Sequence, residues 1–542
     1  MSRKILTIVA IVVIVFAGGL SAILINQAAG RFNAVSTVPH NVANVSGNGG
    51  NAVAVGEYLY FIGNFVNTRD IVYRQNEYNR VTVNDRRHYG GIFRIRLNEN
   101  GRPSYDNSHI DEPPIDPNNP GSEWNTRVAG KELIVPKIAG HENSAMWIFG
   151  NHIVYTSPHN RLDRRGQLQT GRLDFFRVDL DGRNHRRIFT TSESNLTRDN
   201  FTVAWGGGHS HLLVVDGQRL VHVGVSQNPG RVTELAESVS SFALPMVTSY
   251  FESSLRPDKG FEGVMGFVYW TEDRSEEDRE AGIRGNLMRR ASLSDIRTTQ
   301  NLGEDASRIY SLHALSGGRL FFEIAHVLGE TQEPTRLFIA DRPNIGLFHP
   351  SQIRTNFQAR DIALSGMTFF GPTEFAGTAS LVPGSIPIFG LAANGNIVRF
   401  DTQAPDFYGN RFEPRTTPLA SGVTEILAVT AGRIHFKVGA EVRVVDWEGQ
   451  EIRNTEHGRF VNDMPEGSRV THFTVMPHTS TGDDFVVFFR TLTSNEFETE
   501  TIINEEGEEE IIESERATKT IAVMMDANGV EWILAVVEEE FI

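Results

Sequence analysis

From about Val53 onward, apolar residues recur at every second position in short runs, the period of a strand with a buried face. Inner strands are expected at Tyr58–Gly63, His152–Ser157, Leu220–Val225, Gly266–Thr271, Arg319–Ala325, Arg433–Val438 and Phe485–Arg490, most of them opening after Gly, Asn or Asp. Partner strands carrying Arg within an apolar pattern follow at Gly91–Leu97, Leu173–Leu180, Asn286–Ala291, Arg336–Ala340, Asn396–Asp401, Glu441–Asp446 and Thr520–Asp526. Little helix is expected outside the first 30 residues.

One short turn pattern punctuates these strands: an apolar residue, two variable residues, then Asn, Asp or Glu, then Gly. It occurs at Leu97–Gly101, Val178–Gly182, Leu391–Gly395, Val445–Gly449 and Met525–Gly529. An acidic or amide residue before Gly signals a turn between strands, because Gly takes positive φ at no steric cost. Recurrence of one strand–turn–strand unit means a repeat architecture. The glycines that open the first strands are 49 residues apart from Gly217 to Gly266, 52 from Gly266 to Gly318 and 48 from Gly384 to Gly432. Propeller blades of four strands run about 40–50 residues. The expected fold is therefore an all-β, seven- or eight-bladed β-propeller over residues 53–542. Stacked β-sandwiches are the alternative, but the Pro- or Ser-rich linkers they need are not found. The Pro- and Asp-rich segment Asp111–Gly121 and the charged segment Glu272–Gly285 read as long loops on one rim. Glu505–Glu515 holds seven Glu in eleven residues, near-symmetric about Gly507, and reads as a long hairpin with an acidic tip.

The N-terminus carries a different pattern. Arg3 and Lys4 precede an uncharged stretch from Ile5 to Gly30 that is dense in Ile, Val, Leu and Ala. Roughly 20 apolar residues span a bilayer, and the two cations favour a cytoplasmic N-terminus. Residues 1–30 are thus expected to be one transmembrane helix, residues 31–52 a flexible spacer, and the propeller extracytoplasmic. A cleaved signal peptide fits less well, because a site after Ala29 would place Gln27 three residues back. A buried core helix is the other alternative.

Lys and Arg total 51 against 67 Asp and Glu, a net charge of -16. That balance disfavours nucleic acid and anionic membrane surfaces as partners. The absence of cysteine excludes disulfides, Cys-based zinc sites, iron–sulfur clusters and thiol nucleophiles.

Two segments carry a resemblance. Val268-Tyr269-Trp270-Thr271-Glu272 resembles the YWTD signature of low-density-lipoprotein-receptor propellers, with Glu for the last Asp. Phe175-Phe176-Arg177-Val178-Asp179-Leu180-Asp181-Gly182 resembles the repeat of TolB-like propellers. Bacterial membrane-anchored proteins of the DUF5050 type combine both features. The resemblance covers about residues 53–542 and departs from the receptor type in having one Tyr-Trp run instead of one per blade. It implies the fold and a binding role, and transfers no catalytic residue.

Candidate chemistry concentrates at His209, His211 and His222. With Asp216-Gly217 as a two-residue turn, His211 faces His222, and His209 shares that face. Three imidazoles could ligate zinc and leave a fourth position for water, although a register slip would dismantle the set. Asp179-Leu180-Asp181-Gly182-Arg183-Asn184 resembles a calcium loop but places its Gly too early and lacks the late Glu. Asp526-Ala527-Asn528-Gly529-Val530-Glu531-Trp532 resembles the Asp-box of sialidase-like propellers. Met524 stands where that box has Ser, so a blade turn before a core Trp is the simpler reading. There is no Gly-x-Ser-x-Gly elbow, phosphate-binding loop with Lys, or His-Glu-x-x-His. The expected function is a non-catalytic scaffold for envelope or extracellular proteins or glycans. The alternative is a propeller enzyme acting on envelope glycans or small esters, and no catalytic residue is singled out for it.

Overall fold

The computed structural model describes residues between Asn44 and Glu539. Residues 1–43, 64–90, 105–131, 136–142, 160–171, 246–266, 342–366, 371–387, 403–411, 453–468 and 540–542, with several shorter gaps, lie outside the description. The expected anchor at 1–30 falls among these. Among the described residues no helix is long and apolar enough to cross a membrane.

The chain is an all-β propeller. Eight antiparallel sheets of three to five strands follow one another along the sequence, each built from one contiguous stretch. Their first and last strands are Val45–Ser46 to Glu132–Val135, Met146–Phe149 to Arg186–Thr190, Phe201–Gly206 to Val232–Ala236, Val239–Ala243 to Asp295–Gly303, Arg308–Ser316 to Arg336–Asp341, Thr368–Phe370 to Phe412–Pro414, Glu425–Val429 to Glu441–Asp446, and Arg469–Pro477 to Glu531–Glu539. Seven of these sheets have four or five strands, a full blade. The seventh in order has three among the described residues.

Both faces of each sheet are covered, so the inner strands read as continuous apolar runs. Tyr58–Ile62 and Met146–Phe149 are buried at every position. Apolar layers fill the junctions. Leu213, Val215 and Leu220 of the third sheet meet Val268, Trp270 and Leu293 of the fourth, and Val442 of the seventh meets Val475, Val486 and Phe488 of the eighth. The leading strands of several successive sheets, such as Val239–Ala243 and Arg308–Ser316, touch and line the ring's interior. Five of the seven strands expected as inner are therefore second in their sheets, while Tyr58–Ile62 and Arg219–Gly224 are third. No leading strand is among the expected ones, neither the short Thr368–Phe370 nor the nine-residue Arg308–Ser316 and Arg469–Pro477.

Among the described residues the first and last sheets meet through side chains and packing and share no strand. Ala52–Val55 and Tyr58–Ile62 lie in the first sheet instead of completing the last. At the junction the Asn51 amide donates to Thr474 Oγ1 at 3.1 Å, and that hydroxyl donates to Asn51 Oδ1. Met476, Phe485, Met524 and Trp532 of the last sheet join the apolar layer of the first three. Val45–Ser46 pairs with Ala54–Val55, so part of the segment expected as spacer belongs to the propeller.

Strand alternation fixes which rim each connection occupies. Joints from one sheet to the next and from second to third strand emerge at one rim; first-to-second and third-to-fourth joints emerge at the other. Residues 273–286 and 494–517 are second-to-third joints, whereas 97–131 joins the fourth and fifth strands of the first sheet, which has Val45–Ser46 as an extra first strand, and so leaves at the rim of third-to-fourth joints. The strands flanking the two long loops expected on one rim thus open toward opposite rims; Asp111–Gly121 itself lies outside the described residues. Within 273–286 the segment Glu276–Glu280 is a short helix, capped by the Ser275 hydroxyl accepting from the Asp278 amide at 3.2 Å. The acidic hairpin is present as Phe497–Ile503 paired with Glu509–Glu515. It continues the ladder of Asp484–Thr493 with Thr518–Met525 nearly in register, past the end of the blade.

Candidate functional site

Val178–Gly182 and Met525–Gly529 join third to fourth strands, Leu391–Gly395 joins second to third, Leu97–Gly101 follows the fourth strand of the first sheet, and Val445–Gly449 follows the third strand of the seventh. Those described in full share one geometry. Gly182, Gly395 and Gly449 donate backbone hydrogen bonds to the carbonyls of Asp179, Ala392 and Asp446, with φ of +85°, +79° and +85°. At the calcium-like loop the carboxylates serve the turn. Asp179 accepts from His152 Nδ1 at 2.9 Å and Asn184 Nδ2 at 2.6 Å, and Asp181 accepts from the Arg183 amide at 2.9 Å. At the Asp-box-like segment, Asp526 accepts from the Val530 amide at 2.9 Å and pairs with Arg102 at 2.7 Å, while Trp532 packs in the core. The Tyr-Trp run is likewise a blade element. Buried Trp270 donates to Glu272 Oε1 at 2.7 Å, and the Thr271 hydroxyl accepts from the Ser241 amide at 3.0 Å.

The histidine hairpin folds with a different register. Gly217-Gln218 forms the turn, so Asp216 pairs with Arg219, Leu213 with His222, and His211 with Gly224. Asp216 cannot serve as a turn residue because its buried carboxylate accepts from the Ser192 and Glu193 amides at 2.7 and 2.8 Å, tying the second sheet to the third. The two-residue slip preserves the face, so His211 and His222 still meet on a diagonal, in the layer facing the fourth sheet. His211 Nε2–H donates to the Gly206 carbonyl at 3.0 Å, which leaves His211 Nδ1 as acceptor for His222 Nε2–H at 2.9 Å. Among the described residues His222 Nδ1 is buried without a partner. Burial, reinforced by His211, holds the His222 imidazole down at about 4. Burial also lowers His211, against the Gly206 hydrogen bond that raises it. Both rings are therefore neutral near pH 7. His209 is half-buried and pairs with Gly206 across the first two strands of the sheet. Among the described residues, no three His, Asp or Glu side chains are grouped to hold a metal ion.

A cavity of about 580 Å³ opens where the first sheet meets the last, with Met476, Phe485 and Met524 as apolar lining and Glu57 and Arg96 among its polar walls. It lies toward the rim of third-to-fourth turns. The opposite rim carries the acidic helix and the Glu-rich ribbon. From Phe497 to Glu515 the chain has nine Glu and no Lys or Arg. The helix segment is fastened down by Arg274, whose Nη2 donates to the Glu304 carbonyl at 2.6 Å. Sequence reading could not place these inserts on a common rim, because that depends on counting strands that carry no signal of their own.

No protein-family model and no curated protein matches the chain. Among solved structures, a puromycin-hydrolysing peptidase of Mycobacterium tuberculosis is 10% identical with a TM-score of 0.29, the match covering 69% of this chain and 57% of that one. Prolyl oligopeptidase B of Galerina marginata is 10% identical with a TM-score of 0.36, over 72% of this chain and 50% of that one. The β-propeller domain of the Trilobed protease of Pyrococcus furiosus is 8% identical with a TM-score of 0.33, over 72% of this chain and 98% of that domain. The chain spans about half the length of the two peptidases. At these identities and scores the likenesses assign no activity.

Proposed function

We propose that this protein is a membrane-anchored, extracytoplasmic β-propeller that serves as a non-catalytic platform for an envelope or extracellular protein, with glycan as the other partner class. The reading is carried by the rim of second-to-third joints. There, an ordered acidic helix at Glu276–Glu280 and a Glu-rich ribbon at Phe497–Glu515 are added outside the blade cores. Inserts on a rigid scaffold are where binding surfaces concentrate, and their charge complements a basic surface. In this reading residues 1–30 tether the platform, raising its effective concentration for neighbours at the membrane.

The test is in-cell crosslinking of the full chain beside a variant in which 494–517 is replaced by a two-residue turn. Recovery of one partner with the full chain, lost with the variant, supports the reading. Equal recovery, or none, rejects this rim as the docking surface.

A further inference from the structure

Arginines that run into the interior of this propeller generally find an oxygen acceptor on a side chain. Arg94 donates to Glu132 at 2.6 Å and to the Tyr60 hydroxyl at 3.3 Å. Arg290 donates to Gln300 Oε1 at 2.7 Å. Arg198 is different. Its Nη2 donates to the Gly49 carbonyl, and its guanidinium carbon lies 5.1 Å from the ring centroids of both Trp147 and Phe201. Its Nη1 is buried and has no acceptor among the described residues. Two aromatic faces attract a cation but supply no lone pair to its N–H groups. A buried charged donor left unsatisfied costs enough that native sites normally complete it with a counter-group or an ordered water.

The surroundings hold this side chain in place. Thr197 donates to Asn200 Oδ1 through its amide at 2.9 Å and its hydroxyl at 2.8 Å, and this fixes the 3-10 turn Arg198–Asn200 that leads into the third sheet. On the other side a Cβ at residue 49 would sit 3.0 Å from Arg198 Nη2 and 3.3 Å from Trp147 Nε1, so only glycine lets the backbone close there. Gly49 precedes the first sheet's inner strand, and Trp147 lies on the second sheet's leading strand. Arg198 thus stands where three neighbouring blades begin, at the inner edge of the rim that carries the acidic inserts.

We propose that Arg198 anchors an oxyanion site at this inner edge, taking a carboxylate or phosphate group of a ligand through Nη1. The ligand chemistry deepens the platform reading and rests on it, for it is the partner that would supply such a group. Burial pulls the guanidinium down to about 10, with Asp199 opposing, and a bound anion would remove that cost.

The test is thermal unfolding of the full chain, titrated with inorganic phosphate and separately with acetate at constant ionic strength. It compares the unchanged chain with Arg198→Gln, Arg198→Lys and the exposed control Arg183→Gln. A saturable rise in Tm with one probe identifies the oxyanion class. The rise should persist in Arg183→Gln, disappear in Arg198→Gln, and need at least tenfold more probe in Arg198→Lys. The lysine variant keeps the charge but loses the planar fork, and it decides the matter if Arg198→Gln does not fold. No saturable response, or one retained in the Arg198 variants (an adventitious ion only), overturns the proposal. A retained, Arg198-dependent response with no partner captured in cells would leave the site standing and remove the platform reading.

Discussion

Acid should unfasten the joint between the third and fourth sheets through His222. In the folded chain its imidazole is held at about 4 instead of 6.5, chiefly by burial. A base whose folded pKa is lowered contributes stability that is complete above pH 6.5 and is lost as pH falls toward 4. The unfolded chain binds the proton first. From pH 8 to pH 5 the linkage for one such group amounts to about 2 kcal/mol, and it approaches about 3 kcal/mol below pH 4. The proton has a defined destination, since His222 Nδ1 is the one nitrogen of the pair without a hydrogen bond among the described residues. The charged groups of the fourth sheet on this junction, Glu272 and Arg289, are closed on each other at 2.8 Å and offer the new cation no free carboxylate. The assay is urea unfolding of the unchanged chain and of His222→Gln at pH 8 and pH 5. Gln keeps an N–H toward His211 and has no base. With 17 histidines in the chain, both proteins lose stability in acid, but the unchanged chain should lose about 2 kcal/mol more. Equal losses would refute the reasoning.

Trp270→Phe removes the hydrogen bond to Glu272 and part of a fully buried ring, and should cost about 2–3 kcal/mol in urea unfolding at pH 8. Gly182→Ala forces a side chain onto φ of +85° and should cost about 1–2 kcal/mol by the same assay, with the blade otherwise intact. Asn51→Ala breaks the polar link between first and last sheets. Hydrogen exchange should then quicken in 52–62 and 469–477 while the fourth and fifth sheets stay protected. Joining Thr493 to Thr518 through a two-residue turn in place of 494–517 should change Tm little, because those residues already face each other in the ladder.

Much of the fold was legible because the inner strands form short, dense apolar runs and their turns demand glycine. The shared turn geometry at Asp179, Ala392 and Asp446 bears this out. The leading strands were missed whether three residues long, as at Thr368–Phe370, or nine, as at Arg308–Ser316. What else failed did so for local reasons. The histidine register slipped by two because Asp216 is committed to holding Ser192 and Glu193, a contact between blades that no hairpin rule contains. The slip kept the face, so two of the three candidate histidines still meet, as a hydrogen-bonded pair. Arg198 left no sequence mark, since Gly49, Trp147 and Phe201 converge on it from three different blades.

The measurement that bears most directly on the platform reading is identification of what crosslinks in cells to the full chain, with the 494–517 replacement as comparison. The reading expects one protein recovered near stoichiometry with the full chain and lost with the replacement. Recovery of no specific partner, or of the same partner in equal amount from both, would contradict it.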